Sequence, residues 1–467
     1  MNLEPIVFVL EFYLFSLVAI DPDRRFVRYA RQIIQPYPEL LDMTLTKRAI
    51  VLGTTVIAIT AVTVSLAGVH FSRGASLLKD TPKDLVDEVW QVIDNSYVDG
   101  TFNQTDWRSV RRDYIGREYT DKKQAYLAIR EMLKKLNDPY TRFMDPEEFK
   151  NMKVETSGEL IGVGIQLAAD EKTKKLTVIS PIEGSPASKA GVLSKDIIIK
   201  INDQSTQGMD VNKAVMLIRG ESGTSVKLTM QRGTEVIDYN LKRDRIELHP
   251  VSSNVQKTAA GDTGYIRLRQ FSAPAVKEMG EAIRNLEKQN VAGYVLDLRS
   301  NPGGLLTASV EISRMLIKDG TIVSTVNRQG ESDRQSANNS ALTDKPVVVL
   351  VDGGSASASE IVSGALQDTK RAKIVGIKTF GKGLVQSVRE LGDNESGLAV
   401  TIAKYLTPNG RDINKHGIDP DVEIKLTEPQ QKELQRDRDK IGTPADPQFG
   451  KAIQVLSEEI NVKKASK

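Results

Sequence analysis

The sequence predicts a mixed α/β (α+β) protein with three successive regions of different character. The first region shows the apolar spacing of amphipathic helices, and the second shows short β-branched runs divided by Gly, Pro and Asp turns. The third alternates apolar strands with helical stretches, which is typical of an α/β core. The 467 residues are enough for about two to four domains.

Residues 80–155 are predicted to form a helical N-terminal domain. Apolar residues recur there at the i, i+3, i+4 spacing of amphipathic helices, namely Leu85, Val86, Val89, Trp90 and Ile93, then Tyr126, Ile129, Leu133 and Leu136. Pro82, Pro139 and Pro146 fall near expected helix starts or breaks. We find no motif in this region that indicates chemistry.

Residues 157–245 are predicted to form a small β module. Its strands are expected at Leu176–Ile179, Asp196–Asn202, Val226–Met230 and Val236–Leu241, with a helix at Ala214–Arg219. The run Gly162-Val163-Gly164-Ile165 precedes these elements, and the whole order resembles a PDZ domain. The sequence departs from the common PDZ pattern at Lys195, where a glycine usually precedes the aspartate, so the geometry of one turn is expected to differ.

Residues 246–430 are predicted to form the strand–helix core. The expected strands include Gly264–Leu268, Tyr294–Leu298, Val347–Val351 and Lys373–Ile377, and the expected helices are Ala275–Gln289, Leu306–Ile317 and Ser359–Gln367. Residues 431–467 form a polar tail. Its amphipathic stretch Ala452–Ile460 is expected to pack back as a short helix.

The N-terminus carries an export pattern. Residues 49–69 have no formal charge, and Lys47 and Arg48 stand directly before them. The tripeptide Ser65-Leu66-Ala67 near the end of this run has the small residues of a cleavage site. We therefore interpret residues 43–72 as a signal peptide or as a retained membrane anchor, for which about 20 apolar residues suffice. A buried core helix is the remaining alternative. Residues 1–42 are an N-terminal extension of uncertain role.

The amino-acid composition limits the catalytic groups and binding partners that the chain can have. The chain has no cysteine, which removes thiol nucleophiles, thiolate metal sites and disulfides. The chain has three histidines, which lie far apart in the sequence: His70, His249 and His416. Few histidines are therefore available for a zinc site or a Ser–His–Asp triad. The net charge is only +3 with both signs mixed, which argues against a nucleic-acid partner. No motif indicates a metal or a cofactor.

Ser357 is the candidate nucleophile. The apolar strand Val347–Val351 runs through a Gly-rich turn into a predicted helix that begins near this serine. A hydroxyl at a helix start lies in a field that favours negative charge, and the small alanines beside it leave room for a substrate carbonyl. The alternative is that Ser357 and Glu360 form only a capping box, since Ser-x-x-Glu is its signature.

Lys382 is the candidate base, because a serine needs one to become a nucleophile. Glycines and hydrophobic residues flank it in Thr379-Phe380-Gly381-Lys382-Gly383, so its amine can lie in a dry pocket. Desolvation favours the neutral amine, and a useful lysine base needs a pKa lowered from about 10.4 to about 7–8. Gln386 falls on the same face and is predicted to hold the amine in position. The alternative is a solvated loop charge.

A third element is the turn Asn301-Pro302-Gly303-Gly304, which follows an apolar strand. Acyl transfer needs hydrogen-bond donors that face the developing oxyanion. The backbone N–H groups of Gly303 and Ala358 are the candidate donors. Taken alone, such a sequence is more often simply a turn.

Three sequence blocks together resemble the signature of the carboxyl-terminal processing (tail-specific) serine proteases, especially those of cyanobacteria and plastids. The blocks are Asp297-Leu298-Arg299-x-Asn301-Pro302-Gly303-Gly304, Ser355-Ala356-Ser357-Ala358-Ser359-Glu360 and Phe380-Gly381-Lys382-Gly383-x-x-Gln386, in the family's order. The resemblance spans residues 80–426. It implies a serine endopeptidase with Ser357 as nucleophile, Lys382 as general base, Gln386 as its orienter, and Gly303 with Ala358 as the oxyanion hole.

The resemblance also implies how substrates are chosen. A PDZ module adds a peptide as an extra strand and holds its terminal carboxylate in backbone N–H groups, and Gly162-Val163-Gly164-Ile165 stands where that loop belongs. Protein or peptide substrates with free, apolar C-termini are therefore expected. In relatives an arginine of this module senses the peptide, and Arg219 is the candidate here. Its alternative role is to cap the helix before Gly220.

The resemblance further suggests a location and a partner. An exported chain of this kind is expected in the periplasm or the thylakoid lumen, attached to the membrane if residues 43–72 stay uncleaved. Some relatives trim the C-terminal extension of a photosystem II reaction-centre subunit, which suggests such a precursor as a partner. Other paralogues carry out general envelope proteolysis.

Two other functions fit parts of the sequence. Gly376–Lys382 matches a nucleotide-binding P-loop up to its last position, but Gly383 replaces the Ser or Thr that binds Mg²⁺. The residues that follow also favour a strand over a helix. An inactive PDZ scaffold would bind C-termini without cutting them, and the complete dyad argues against it.

Overall fold

The structure is a computed structural model that describes residues 81–170, 173–330 and 332–465. The predicted signal peptide or anchor at residues 43–72 and the extension at residues 1–42 lie outside the described residues. No helix in the described ranges is long and apolar enough to cross a membrane. The predicted mixed α/β fold class is confirmed, with a helical region, a β module and a strand–helix core.

Three helices open the described chain: α1 (Pro82–Ser96), α2 (Trp107–Ile115) and α3 (Lys122–Lys134). Each begins after a Thr or Asp whose side chain accepts a backbone N–H of the first turn. Trp90 and Trp107 stack inside their apolar cluster, with ring centroids 6.4 Å apart. Leu398 and Val400 belong to the same cluster, so these helices pack directly on strands of the core.

A five-stranded antiparallel sheet joins the helical region to the core. The strands are β1 (Arg142–Met144), β13 (Thr321–Asn327), β14 (Ser332–Ser336), β17 (Leu384–Glu390) and β18 (Gly397–Leu406). Their order is β1-β18-β13-β14, with β17 also paired to β18. Because β1 pairs antiparallel with β18, the residues just before β1 lie beside the strands that follow Lys382.

Helix α4 (Pro146–Ser157) leads into the β module. This module contains β2 (Glu159–Gly162), β3 (Ile165–Ala169), β4 (Leu176–Pro181), α5 (Pro186–Lys189), β5 (Ile197–Ile201), β6 (Gln204–Ser205), α6 (Val211–Ile218), β7 (Ser225–Arg232), β8 (Glu235–Lys242) and β9 (Asp244–Glu247). The sheet order is β3-β4-β5-β7-β8, so β3 is an edge strand, and α6 packs beside it. Lys195 has a φ of 72°, a conformation that glycine adopts more easily.

The core contains a second, six-stranded sheet. Its strands, in spatial order, are β10 (Val251–Thr258), β11 (Gly261–Leu268), β12 (Gly293–Asp297), β15 (Val347–Val351), β16 (Ala372–Gly376) and β19 (Val422–Glu423). All but β10 run parallel. The two central strands β12 and β15 are buried along their whole length, as parallel strands covered on both faces are.

Helices cover one face of this parallel sheet. They are α7 (Ala275–Lys288), α8 (Leu306–Arg314) and α9 (Ala358–Asp368), and all three contribute to the largest apolar cluster. In open parallel sheets, binding sites form at the carboxyl ends of the strands. Because β12 and β15 are neighbours, the turns that follow them meet at one edge, which brings the second sequence block beside the first.

The opposite face is covered by the end of the chain. After α10 (Glu428–Arg436), helix α11 (Pro447–Ala465) packs on the sheet, and its Phe449 and Leu456 contact the same cluster as Val348 and Leu350. This helix is longer than the predicted stretch Ala452–Ile460. It belongs to the core packing because the sheet would otherwise expose its second apolar face.

A buried ion cluster fastens α11 to the sheet. Arg299 donates hydrogen bonds to Asp297 at 2.9 and 2.6 Å and to Asp446 at 3.1 and 2.7 Å. All three side chains are at most 7% exposed. Burial alone would raise the pKa of Asp297, but the charge and hydrogen bonds of Arg299 hold it below its ordinary value.

Replacing Asp446 by Ala should lower the free energy of unfolding by about 3–5 kcal/mol, because it leaves part of the Arg299 charge buried without its partner. Denaturant unfolding followed by circular dichroism measures this loss. The matched control is Glu428→Ala, whose exposed pair with Lys432 should contribute less than about 1 kcal/mol. Equal effects of the two substitutions would contradict the role given to the cluster.

Candidate active site

Ser357 is the N-cap residue of α9 and has an unusual backbone conformation. Its φ is 55° and its ψ is −111°, a region that residues with a Cβ atom rarely occupy. Strain of this kind costs about 1–3 kcal/mol and persists only where neighbouring contacts fix it. The residue is only 8% exposed, so Ser357 is largely sheltered from solvent.

Glu360 supplies those contacts. Its carboxylate is fully buried and accepts the backbone N–H of Ser357 at 2.8 Å, which is the capping-box geometry considered from the sequence. It also accepts the N–H of Gly381 at 2.7 Å, the N–H of Lys382 at 2.9 Å and the hydroxyl of Thr379 at 2.5 Å. One carboxylate therefore holds the backbones of both predicted dyad residues.

Lys382 lies in the loop before β17, half-buried. Burial lowers the pKa of its amine, the positive charge of Arg142 lowers it further, and Asp138 and Glu360 raise it. The Nζ atom stands 5.2 Å from the centre of the Tyr140 ring. Among the described residues, no hydrogen bond joins this Nζ to Ser357 Oγ, so the two residues share a site without being coupled in this arrangement.

Gln386 is in β17, directly opposite Thr401 of β18. Its Nε2 is buried and has no hydrogen-bond partner among the described side chains and backbone. A buried donor left unpaired costs about 1–3 kcal/mol. The amide is therefore available to a further acceptor, and a neutral lysine amine offers a lone pair of that kind.

Gly303 lies against the start of α9. Its φ is 102°, and a Cβ atom there would stand 2.8 Å from the carbonyl oxygen of Ala356 and 2.9 Å from Ser357 Cβ, so only glycine fits. Ala358 is the first helical residue, and its N–H has no acceptor within the helix. The N–H of Gly303 donates to Asn301 Oδ1 at 2.9 Å. Both predicted donors therefore lie next to Ser357, but the N–H of Gly303 already donates to the side chain of Asn301.

The predicted peptide-binding loop leads into the edge strand of the β module. Gly162 ends β2, Val163 and Gly164 form the connection, and Ile165 begins β3. The carbonyl groups of Val163 and Gly164 are fixed by backbone hydrogen bonds of 2.9 and 2.8 Å from later residues of the module. The loop is therefore held at the open edge, where an added strand would end.

Arg219 follows α6 and donates a hydrogen bond to Asn151 of α4. This contact links the β module to the helix that precedes it. The predicted sensor therefore contacts a residue outside its own module.

Sequence reasoning missed the segment Asp138–Arg142, which it placed in a helical region without chemistry. Asp138 accepts hydrogen bonds from Thr401 and Thr141, and these contacts hold the segment against β18 near Lys382. Periodicity could not reveal this proximity, because the pairing of β1 with β18 joins residues more than two hundred positions apart. Only the polar, aromatic composition of the segment distinguishes it from an ordinary turn.

The nucleotide-binding alternative does not fit the structure. A P-loop places its phosphate-binding backbone at the start of a helix. Here β16 ends at Gly376, and the next regular element after Lys382 is strand β17. The segment has no helix terminus to offer a phosphate.

Two family models match parts of the chain. Residues 262–424 match peptidase family S41, and residues 177–232 match the PDZ domain. A carboxyl-terminal-processing protease of Synechocystis sp. is 45% identical over 371 residues, covering 79% of this chain and 85% of that protein. A chloroplastic C-terminal processing peptidase of Tetradesmus obliquus is 39% identical, covering 72% and 76%.

Among solved structures, the photosystem II D1 C-terminal processing protease matches with a TM-score of 0.54 and 36% identity, over 79% of this chain and 100% of that one. The chain therefore belongs to peptidase family S41. More particularly, it is a serine-type, carboxyl-terminal-processing protease with a PDZ domain. The resemblance found in the three sequence blocks is confirmed.

Replacing Glu360 by Gln should reduce kcat/KM for peptide hydrolysis at least about tenfold, because an amide cannot accept all four donors and charged hydrogen bonds contribute about 1.5–3 kcal/mol each. Steady-state kinetics measures the loss, and the thermal midpoint checks folding. The matched control is Glu390→Gln, at an exposed position on β17, which should keep the parental rate. A Glu360→Gln enzyme as active as the parent would contradict the role of this carboxylate.

Proposed function

We propose that Ser357 and Lys382 form a Ser–Lys dyad that cleaves proteins near their C-termini. The observation that carries this proposal is the Glu360 carboxylate, which binds the backbone N–H of both residues. The strained conformation of Ser357 and the lowered pKa of Lys382 support it as well. Perturbed groups of this kind concentrate at functional sites.

The proposed reaction uses these groups in turn. The neutral amine of Lys382 takes the proton of Ser357 Oγ as that oxygen attacks the scissile carbonyl carbon. The carbonyl oxygen becomes an oxyanion, which receives the N–H of Ala358 and that of Gly303 once the latter leaves Asn301 Oδ1. The Lys382 ammonium then protonates the departing amine. Water hydrolyses the acyl-enzyme with Lys382 again acting as base.

This reaction requires Lys382 to leave its position against Tyr140. The unpaired Nε2 of Gln386 suits the next position, because it can donate to the lone pair of the neutral amine. Gln386 would then orient the base toward Ser357. The structure in hand is accordingly assigned to a resting enzyme in which the dyad is not yet coupled.

The PDZ domain is proposed to select chains by their free C-terminus. The open edge of β3 supports this role, because a peptide can pair with it as an added strand. The loop from Gly162 to Ile165 would receive the terminal carboxylate, and the side of α6 would receive apolar side chains. The contact of Arg219 with Asn151 would then transmit the binding of a peptide from the PDZ domain to α4, the helix that precedes it.

The substrate and the location are further parts of the proposal. A solved relative is named as a protease that processes photosystem II D1, so we propose a D1-type precursor as a candidate substrate. Export through residues 43–72, as a signal peptide or an anchor, would bring the enzyme to the periplasm or thylakoid lumen.

Cleavage of an unstructured peptide with a free apolar C-terminus tests the proposal. We expect the full chain to hydrolyse it, and we expect Ser357→Ala and Lys382→Ala each to reduce kcat at least about a thousandfold, as loss of a nucleophile or its base does. Amidating the peptide's C-terminus should raise KM, because the PDZ domain would lose the terminal charge. Undiminished activity of Lys382→Ala would exclude the dyad.

The pH dependence tests the electrostatics of the base. Only the neutral amine accepts a proton, so kcat/KM should rise with pH through the lowered pKa of Lys382. Arg142 lowers that pKa, so Arg142→Gln should raise it and move the acid limb to higher pH, with less activity at neutral pH. Arg334→Gln, at an exposed position on β14, is the matched control. An acid limb that stays in place, or moves to lower pH, would contradict the assignment.

A further inference from the structure

The ring of Tyr140 occupies a position that the dyad mechanism does not explain. Tyr140 is half-buried, and its ring centre lies 5.2 Å from Lys382 Nζ. This distance is within the range in which an ammonium is attracted to the negative face of an aromatic ring. The ring comes from the helical region, whereas the amine comes from the core.

The position of the ring is fixed by the segment around it. The backbone N–H of Tyr140 donates to Asp138 Oδ1 at 2.9 Å. Asp138 also accepts the hydroxyl of Thr401 at 2.8 Å, and the hydroxyl of Thr141 accepts the N–H of Thr401 at 3.0 Å. The segment that carries the ring is therefore hydrogen-bonded to β18. This strand pairs with β17, and its Thr401 lies opposite Gln386.

The charges around the amine come from three elements. Asp138 precedes β1, Arg142 begins it, and Glu360 lies in the first turn of α9. Asp138 and Glu360 favour the charged amine, whereas burial and Arg142 favour the neutral one. The Glu360 carboxylate already accepts four hydrogen bonds, whereas Nζ lies over the face of the Tyr140 ring.

A ring attracts the ammonium but not the neutral amine, because only the charged form interacts strongly with the ring quadrupole. The neutral form instead needs a donor for its lone pair, and Gln386 Nε2 is a buried donor without a partner among the described residues. The two protonation states of Lys382 therefore prefer different neighbours. Loss of the proton moves the preference from Tyr140 to Gln386.

We propose that Tyr140 is a positioning residue that holds the charged amine of Lys382 in a resting position and releases it when the amine becomes neutral. This inference rests on the proposed function, in which Lys382 is the base. It assigns to the helical region a direct role in the dyad. It also makes the ring of Tyr140, rather than its hydroxyl, the functional group.

The test measures the protonation of Lys382 without relying on catalysis. The full chain with Ser357→Ala is treated with acetic anhydride across a range of pH, and acetylation of Lys382 is followed by mass spectrometry. Tyr140→Leu keeps an apolar side chain but removes the ring, so the neutral fraction at pH 7 should rise about two- to fivefold. The midpoint of the labelling profile should move to lower pH. Altered access for the reagent would change the rate at every pH but not this midpoint.

Tyr140→Phe is the matched control, because it keeps the ring and should leave the midpoint where the parent has it. Tyr140→Met provides a second ringless variant, and thermal midpoints verify that each chain is folded. The proposal is overturned if the ringless variants label like Tyr140→Phe, or if their midpoint moves to higher pH. If Lys382→Ala kept full peptidase activity, the base assignment would fail, and the labelling midpoints would still decide whether Tyr140 holds the amine.

Discussion

The buried carboxylate of Glu360 is the contact on which the active site depends. It accepts the backbone N–H groups of Ser357, Gly381 and Lys382 and the hydroxyl of Thr379. These donors come from the start of α9 and from the loop before β17, two segments that a backbone hydrogen bond from Phe380 to Ser355 also joins. A buried charge is stable only when it is hydrogen-bonded, so the same contacts that satisfy Glu360 also fix the strained serine beside the lysine.

Around this contact, the helical region and the core both contribute to one site. The parallel sheet places the turns after β12 and β15 at one edge, and α11 holds that sheet through the Arg299 cluster. The helical region contributes Tyr140 and Arg142 through the pairing of β1 with β18. The proposed dyad pocket therefore includes groups from both regions, since Tyr140 and Arg142 lie close to Lys382 but outside the core that carries it.

Much of this could be predicted from the sequence. The strands and helices of the core follow from their periodicity, and the family-specific spacing of the three blocks predicts Ser357, Lys382 and Gln386 as site residues. The sequence predicts only part of the role of Glu360, because a capping box explains its hydrogen bond with Ser357 but not those with Gly381 and Lys382. The approach of Tyr140 to Lys382 could not be predicted, since it depends on strand pairing between distant segments. The full length of α11 could not be predicted either. The sequence pattern shows only the amphipathic part of this helix, and the helix packs on the sheet beyond that part.

The most direct test of the account is to map the site of a serine-reactive probe. The full chain is incubated with a fluorophosphonate, digested and analysed by mass spectrometry, beside a Lys382→Ala chain. The account predicts that the label is on Ser357 in the parent and that labelling is slowed at least about a hundredfold without the lysine. Labelling of Ser355 or Ser359 instead, or an equal rate in both chains, would contradict it.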